Sequence, residues 1–236
     1  MSAAGITTHE AGDDNTMETL EGFAWALRMR AVMEAATDLK EARAFWAATN
    51  NTLGINHGIG SAAAGDVASP FMVLETKAGY TAEFGADDPR EAGYSVNGTR
   101  YGFAMPHALW RTNHGYDPKF LATAMEGPVP GHDSQTRYEL LRDTFDLYGA
   151  SGGAVDDLQA VNLTAVVGDK GGSDRASFVT CAGPQAVQGE NIVSVAFAPA
   201  KATWYVAFEN GRGAAHVPAC CMPYVKLDMT AWFAQA

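Results

Sequence analysis

Three kinds of side chain in this 236-residue chain can do covalent chemistry: cysteines as nucleophiles, histidines and carboxylates as proton carriers, and neutral amides as hydrogen-bond donors. The cysteines are Cys181, Cys220 and Cys221, an odd count with two adjacent. Sequence neighbours bond to each other only with strain, so no disulfide framework is indicated. Flanked by Pro218 and Pro223, Cys220-Cys221 reads as packing rather than redox chemistry. His57, His107, His132 and His216 lack a metal-ligand spacing such as His-x-x-x-His and read as structural. His9 stands beside Glu10, and His114 follows Asn113 in Arg111-Thr-Asn-His-Gly. By local sequence alone Asn113 is a turn residue. Arg137 lies near Asp133 and Glu139, where a solvated helix arginine and an N-capping aspartate are the local expectations. Gly168-Asp-Lys-Gly-Gly has a passing likeness to a phosphate loop but lacks the full G-x-x-x-x-G-K-[ST] spacing, and reads as a surface loop. The triplets at Asn50, Asn97 and Asn162 fit the N-glycosylation pattern, which matters only on a secretory route.

The elements that must position these groups are readable in outline. Residues 3–10 suit a short Gly-hinged strand, and Asp13-Asp14-Asn15 supplies turn residues after it. Apolar residues at Phe23, Ala26, Leu27, Met33 and Ala36 recur near helical spacing, with Arg28 and Arg30 among the polar positions. Asp38 followed by Glu41 is a capping-box pattern opening a second helix through Trp46. Phe71-Met-Val-Leu-Glu-Thr is β-prone, and Lys77-Ala-Gly79 can turn the chain back into Tyr80–Phe84. A second hairpin is expected from Ile192–Phe197 and Thr203–Phe208, closed by Asn210-Gly211. Between the hairpins, 134–148 and 156–167 read as helices, and 85–101 and 168–190 as loop-rich stretches. Antiparallel hairpins with helices in separate runs argue for an α+β fold rather than a doubly wound parallel sheet.

The length and the 47% hydrophobic content suit one domain over 1–236 with a sizeable core. A formal charge of −11 argues against nucleic acid and anionic membrane surfaces as partners. No apolar run approaches the length of a membrane span. The first ten residues have neither the basic start nor the apolar core of a signal peptide.

The order of the motifs carries a resemblance. Met1-Ser-Ala-Ala-Gly-Ile-Thr resembles the G-[ML]-N-x-x-G-[LI] strand of choloylglycine hydrolases, acid ceramidases and acyltransferase-like cysteine peptidases. Leu20-Glu-Gly-Phe-Ala-Trp-Ala-Leu-Arg-Met-Arg is similar to a segment of phospholipase B-like proteins that leads into a helix. Asn51-Thr-Leu-Gly-Ile-Asn-His-Gly-Ile-Gly-Ser and Met72-Val-Leu-Glu-Thr are similar to the strands that follow in that family. Arg111-Thr-Asn-His-Gly-Tyr-Asp resembles its T-N-[HY] element, and Asp133-Ser-Gln-Thr-Arg-Tyr its D-S-x-x-R helix start. The chain thus resembles the C-terminal part of an N-terminal-nucleophile hydrolase, over almost its whole length.

The resemblance implies a four-layer αββα sandwich, incomplete at its N-terminus, that hydrolyses amides or esters of a lipid-like or other acylated small molecule. It implies no cofactor and no metal. In such enzymes autocatalytic cleavage exposes an N-terminal cysteine that attacks the substrate carbonyl. None of the three cysteines stands at that position, so the nucleophile is expected on an upstream segment or a partner chain, or else its chemistry has been lost. Asn113 matches the family's oxyanion asparagine, since a neutral amide N–H donates to the tetrahedral intermediate without neutralising the base. Arg137 matches an arginine that holds carboxylates of the site. His9 and Glu10 fall where relatives place an asparagine or glutamate beside the nucleophile, and His114 would shape the substrate pocket. The isolated chain is expected to be inactive, and the rival reading is a non-catalytic accessory protein that keeps part of the fold. A lysosomal or secreted location would follow only for a longer precursor.

Overall fold

Ile55 and Ile59 fall at strand period along 55–60, and 71–77 opens on the apolar run Phe71–Leu74, as a strand buried on both faces does. In the computed structural model these segments are the two central strands of an antiparallel sheet. The structure describes residues 1–66, 69–150, 155–166 and 191–234. The Gly168 loop, the rest of 168–190 and Cys181 lie outside the described residues. The chain divides into two compact units, Met1–Pro130 and Gly131–Ala236.

In chain order the first unit contains β1 (Thr7–Gly12), α1 (Trp25–Ala35), α2 (Leu39–Ala47), β2 (Ile55–Gly60), β3 (Phe71–Lys77) and β4 (Tyr80–Phe84). It continues with α3 (Pro89–Ala92), a small hairpin of β5 (Ser95–Val96) and β6 (Thr99–Arg100), and α4 (Pro118–Leu121). The four long strands pair antiparallel in the order β1-β2-β3-β4. Lys77 pairs with Tyr80, leaving Ala78-Gly79 as a two-residue turn in which Gly79 takes φ of 69°, a conformation glycine adopts without penalty. One sheet face packs Ile59, Met72 and Leu74 against Val32 of α1 and Leu39, Ala42 and Trp46 of α2.

The capping box forms with a shifted return. Asp38 accepts from the Glu41 N–H at 2.8 Å, while the Glu41 carboxylate takes the Thr37 N–H, also at 2.8 Å, rather than that of Asp38. Asp66 takes the Leu39 N–H at 2.9 Å, satisfying another orphan donor of the first turn.

α1 departs from its expected phase. Leu27 is 63% exposed, and Arg28, expected among the polar positions, is 1% exposed. Its guanidinium lies 4.6 Å from the Trp46 ring centroid and donates to the carbonyls of Trp46 at 2.6 Å and Thr49 at 2.7 Å. The cation thereby bonds carbonyls at the end of α2 and just beyond it, where the helix dipole favours positive charge. Burial lowers the Arg28 pKa to about 10. His57 packs against this indole, 4.8 Å between centroids. Burial, with the nearby Arg28 and His9, holds its pKa down to about 3, so it is a neutral core histidine.

The second unit contains α5 (Asp133–Ala150), α6 (Asp157–Val166), β7 (Val193–Ala198), β8 (Thr203–Phe208), β9 (Val225–Asp228) and α7 (Thr230–Phe233). The β7–β8 hairpin forms one residue later at its first strand than expected, and β9, not foreseen, pairs with β8. Cys220 is buried, and Cys221 is disulfide-bonded, where no disulfide framework was expected. Both units are mixed helix and antiparallel sheet, the α+β class expected. Among the described residues no helix is long and apolar enough to cross a membrane.

Candidate functional site

One row of the first sheet organises a buried polar network. Ala11, Asn56, Glu75 and Ala82 lie in register across β1, β2, β3 and β4, so their side chains share one face, opposite to the face that packs on α1 and α2. Asn56 is 1% exposed and Glu75 0%. Both reach the same covering segment, residues 111–117, and they divide its backbone between them. Asn56 Nδ2 donates to the carbonyls of Thr112 and His114, each at 3.0 Å. Glu75 accepts from the N–H groups of Tyr116 at 2.9 Å and Asp117 at 2.8 Å. Gly115 fits because a Cβ there would come within 2.6 Å of the Glu75 carboxylate.

The same carboxylate takes Arg111 Nε at 3.0 Å, and Arg111 Nη1 stands 2.7 Å from Glu91. All three side chains are nearly inaccessible, and the guanidinium lies over the rings of Phe84 and Tyr116. The cation is thus desolvated between two carboxylates and two aromatic faces, a geometry suited to arginine's planar fork.

Asn113 sits at the tip of a tight turn, where Thr112 and His114 form an antiparallel bridge with each other. Its Nδ2 donates to the Gly12 carbonyl at 2.6 Å. β1 runs two residues beyond Glu10, so the strand end that Asn113 meets is Gly12. His9 and Glu10 point to opposite faces of β1, as strand neighbours must. His9 pairs with Gly58, and its ring occupies the space above that glycine, where a Cβ would come within 2.1 Å of it. Glu10 pairs with His57 and is exposed.

His114 is fully buried. Its Nε2 is 3.0 Å from the Tyr116 hydroxyl, which donates in turn to the Tyr101 carbonyl at 3.2 Å, and its Nδ1 is 3.4 Å from Thr112 Oγ1. These contacts pack the turn from within. Arg137 belongs to the second unit, in the second turn of α5, where Nε and Nη2 each lie 3.2 Å from the Asp133 carboxylate. Asp133 is the first residue of that helix, where a negative charge is favoured by the helix dipole.

Sequence reasoning missed Asp13. It was expected only as a turn residue, yet it is 1% exposed and its Oδ2 receives Asn56 Nδ2 at 3.3 Å. Burial, the negative charge of Glu75 and, to a lesser degree, Glu126 and Asp14 raise its pKa to about 8, against the opposing Asn56 hydrogen bond. Asp13 therefore carries its proton at neutral pH. Asp13 Oδ1 and Asn56 Oδ1 are both buried without a hydrogen-bond partner. Asn56 and Glu75 were also missed as a pair. A charged residue ending the apolar run Phe71–Leu74 was the available signal for Glu75. Among the described residues no cluster of three or more His, Cys, Asp or Glu side chains is arranged to hold a metal ion.

No protein-family model matches the chain, and no curated protein matches it.

Proposed function

We propose that this chain is the C-terminal part of an N-terminal-nucleophile amide or ester hydrolase, built on an αββα sandwich, whose nucleophile is supplied by polypeptide outside this sequence. The observation that carries the reading is the Asn113 turn, whose side-chain amide is tied to the last residue of β1 at 2.6 Å while its backbone is anchored on either side. An oxyanion donor must be pre-aimed, because reorganising at the moment of reaction forfeits the electrostatic gain. The bond to Gly12 fixes the side chain, and the reading gives this amide the task of donating to the oxygen that becomes negative. Arg137, already paired with Asp133, enters the reading by its place in the motif order as a cation that holds carboxylates. His9, Glu10 and His114 enter in the same way, the first two beside the nucleophile and the third as a shaper of the substrate pocket. The substrate class is an acylated small molecule.

A second reading is favoured by the packing roles of the network. Glu75, Asn56 and His114 all have packing roles that need no chemistry, as a non-catalytic accessory protein descended from such an enzyme would retain.

The chain joined to its natural upstream polypeptide, assayed against acylated amino acids, ceramides and lysophospholipids, separates the two. The hydrolase reading expects turnover, an acyl-enzyme visible by mass spectrometry, and a fall in kcat of about 10²–10³ in Asn113→Ala. It also expects the chain alone to be inactive, since losing a nucleophile costs several orders of magnitude. Inactivity of the joined protein with no acyl-enzyme would leave the accessory reading.

A further inference from the structure

We propose that Asn56 is the positioning residue for Asn113: one side-chain NH2, rooted in a central strand, holds the carbonyls on both sides of Asn113 and so sets where its amide points. The consequence for catalysis rests on the hydrolase reading of Asn113, whereas the clamp itself does not.

Thr112 and His114 are both buried, with their carbonyls two residues apart, and buried carbonyls need donors. Asn56 Nδ2 lies 3.0 Å from each and 3.3 Å from Asp13 Oδ2. Its two hydrogens match the two nearer acceptors, with Asp13 as the longer, shared contact. The two nearer neighbours of this nitrogen are carbonyls, which can only accept, so the amide has one sensible orientation; turned over, its oxygen would face both of them. The remaining oxygen, Oδ1, is buried with no partner, which shows that the donor side dictates the arrangement.

The clamp fixes Asn113 because of what is left to vary. With the backbone held at 112 and 114, only two side-chain torsions remain, and the bond from Asn113 Nδ2 to the Gly12 carbonyl sets them. The residue after Gly12 is Asp13, which Asn56 also contacts, so one side chain registers the turn and the strand end against each other. Asn56 is held in β2 between Ala11 of β1 and Glu75 of β3. It touches no reacting atom in the proposed chemistry and acts only through Asn113.

The test is side-chain amide hydrogen exchange by NMR on the full chain with labelled asparagine. In the wild-type protein the Asn113 amide should exchange at least about tenfold more slowly than that of the exposed hairpin residue Asn97. In Asn56→Ala the Asn113 amide should exchange about tenfold faster than in wild type. The Asn51 amide, held in the same unit by Lys77 O, Tyr80 O and Thr81 Oγ1, should be unchanged. Asn56→Ser, whose hydroxyl can serve one carbonyl, should fall between and offers a milder variant if the alanine protein does not fold.

Equal exchange of Asn113 and Asn97 in the wild type, unchanged Asn113 exchange in the variants, or an equal acceleration at Asn51 would each overturn the proposal, the last by revealing general loosening. In the protein joined to its upstream polypeptide, Asn56→Ser should lower kcat about tenfold with KM within about twofold. Faster Asn113 exchange without that fall in kcat would sink the hydrolase role of Asn113 and leave the clamp standing. Unchanged exchange would sink the clamp and leave the hydrolase role untouched.

Discussion

Asn56 and Glu75 stand side by side on one sheet row and grip the same covering segment, yet the regions around them are built differently. Around Glu75, donors and a cation are supplied locally. Both carboxylate oxygens accept backbone N–H groups, Arg111 supplies the counter-charge, and Glu91 approaches from the far side of that cation. Around Asn56 there are acceptors and few donors. Two carbonyls and the Asp13 carboxyl share one NH2, and two buried oxygens have no partner. The first arrangement is what a fold needs to bury a charged residue at all. The second leaves two buried oxygens without a partner beside the turn that holds Asn113, and buried polar atoms of that kind call for an explanation.

The difference is broken most severely at Arg111. In Arg111→Ala the guanidinium disappears from between Glu75 and Glu91, leaving two buried carboxylates without their shared cation. Removing one partner of a buried pair costs about 3–5 kcal/mol. Chemical denaturation at neutral pH should show a loss of that size or a failure to fold, and lowering the pH should recover part of it as the carboxylates take up protons. A loss below about 1 kcal/mol, the range of exposed ion pairs, would mean that the Glu75 region is not the closed ionic system described.

Asp13→Asn sharpens the contrast from the other side. A carboxyl whose pKa is raised from 3.8 unfolded to about 8 folded binds more protons in the native state between those pH values. Its contribution is complete below the unfolded pKa and declines as pH rises through the interval, levelling off above about 8. Asparagine cannot ionise, so the variant should escape this decline. The stability difference, variant minus wild type, should be near zero at pH 4, grow with pH, and reach a plateau by about pH 8 at roughly 1–3 kcal/mol. Paired urea titrations across that range measure it. A difference that stays flat, or that favours wild type as pH rises, would show that Asp13 is ionised in the native protein.

The hairpins and the capping box were legible because their determinants are local: strand period, a Gly at the turn and an Asp–Glu spacing lie within a few residues of what they specify. Arg28, Asp13 and Glu75 were not, since each is buried by partners far along the chain. Arg28 is held by Trp46 and Thr49, Asp13 by Asn56, and Glu75 by Arg111, Tyr116 and Asp117. A charged residue inside a helix or turn pattern reads as exposed unless its distant partner is known. Asn113 was picked out by motif order, and the turn expected from its local sequence is also present. The two views are compatible, because the turn is what aims the side chain. β9 escaped notice because all of its residues are exposed, Val225 and Leu227 included, so its run Val-Lys-Leu-Asp has no buried face to strengthen a strand pattern.

The smallest expected effect is at Tyr116, which joins the two regions: its backbone N–H goes to Glu75 and its hydroxyl meets His114 and the Tyr101 carbonyl. Tyr116→Phe keeps the ring that packs on His114 and on Arg111, and removes only the hydroxyl. The backbone bonds to Glu75 remain, so the ionic region should be unaffected. What is lost is the bridge at 3.0 Å to His114 Nε2 and 3.2 Å to Tyr101, both in a buried setting. A buried hydrogen bond contributes about 0.5–1.5 kcal/mol, and for a protein of this size 1 kcal/mol shifts Tm by about 2–4 °C. A Tm lower by that amount, with Asn113 side-chain exchange unchanged, is the expected pair of results, because Asn56 grips the turn from the other side through the Thr112 and His114 carbonyls. If instead Tyr116→Phe frees the Asn113 amide as strongly as Asn56→Ala does, the turn is held through the His114 ring, and the separation between an ionic Glu75 region and an Asn56 clamp collapses into one network.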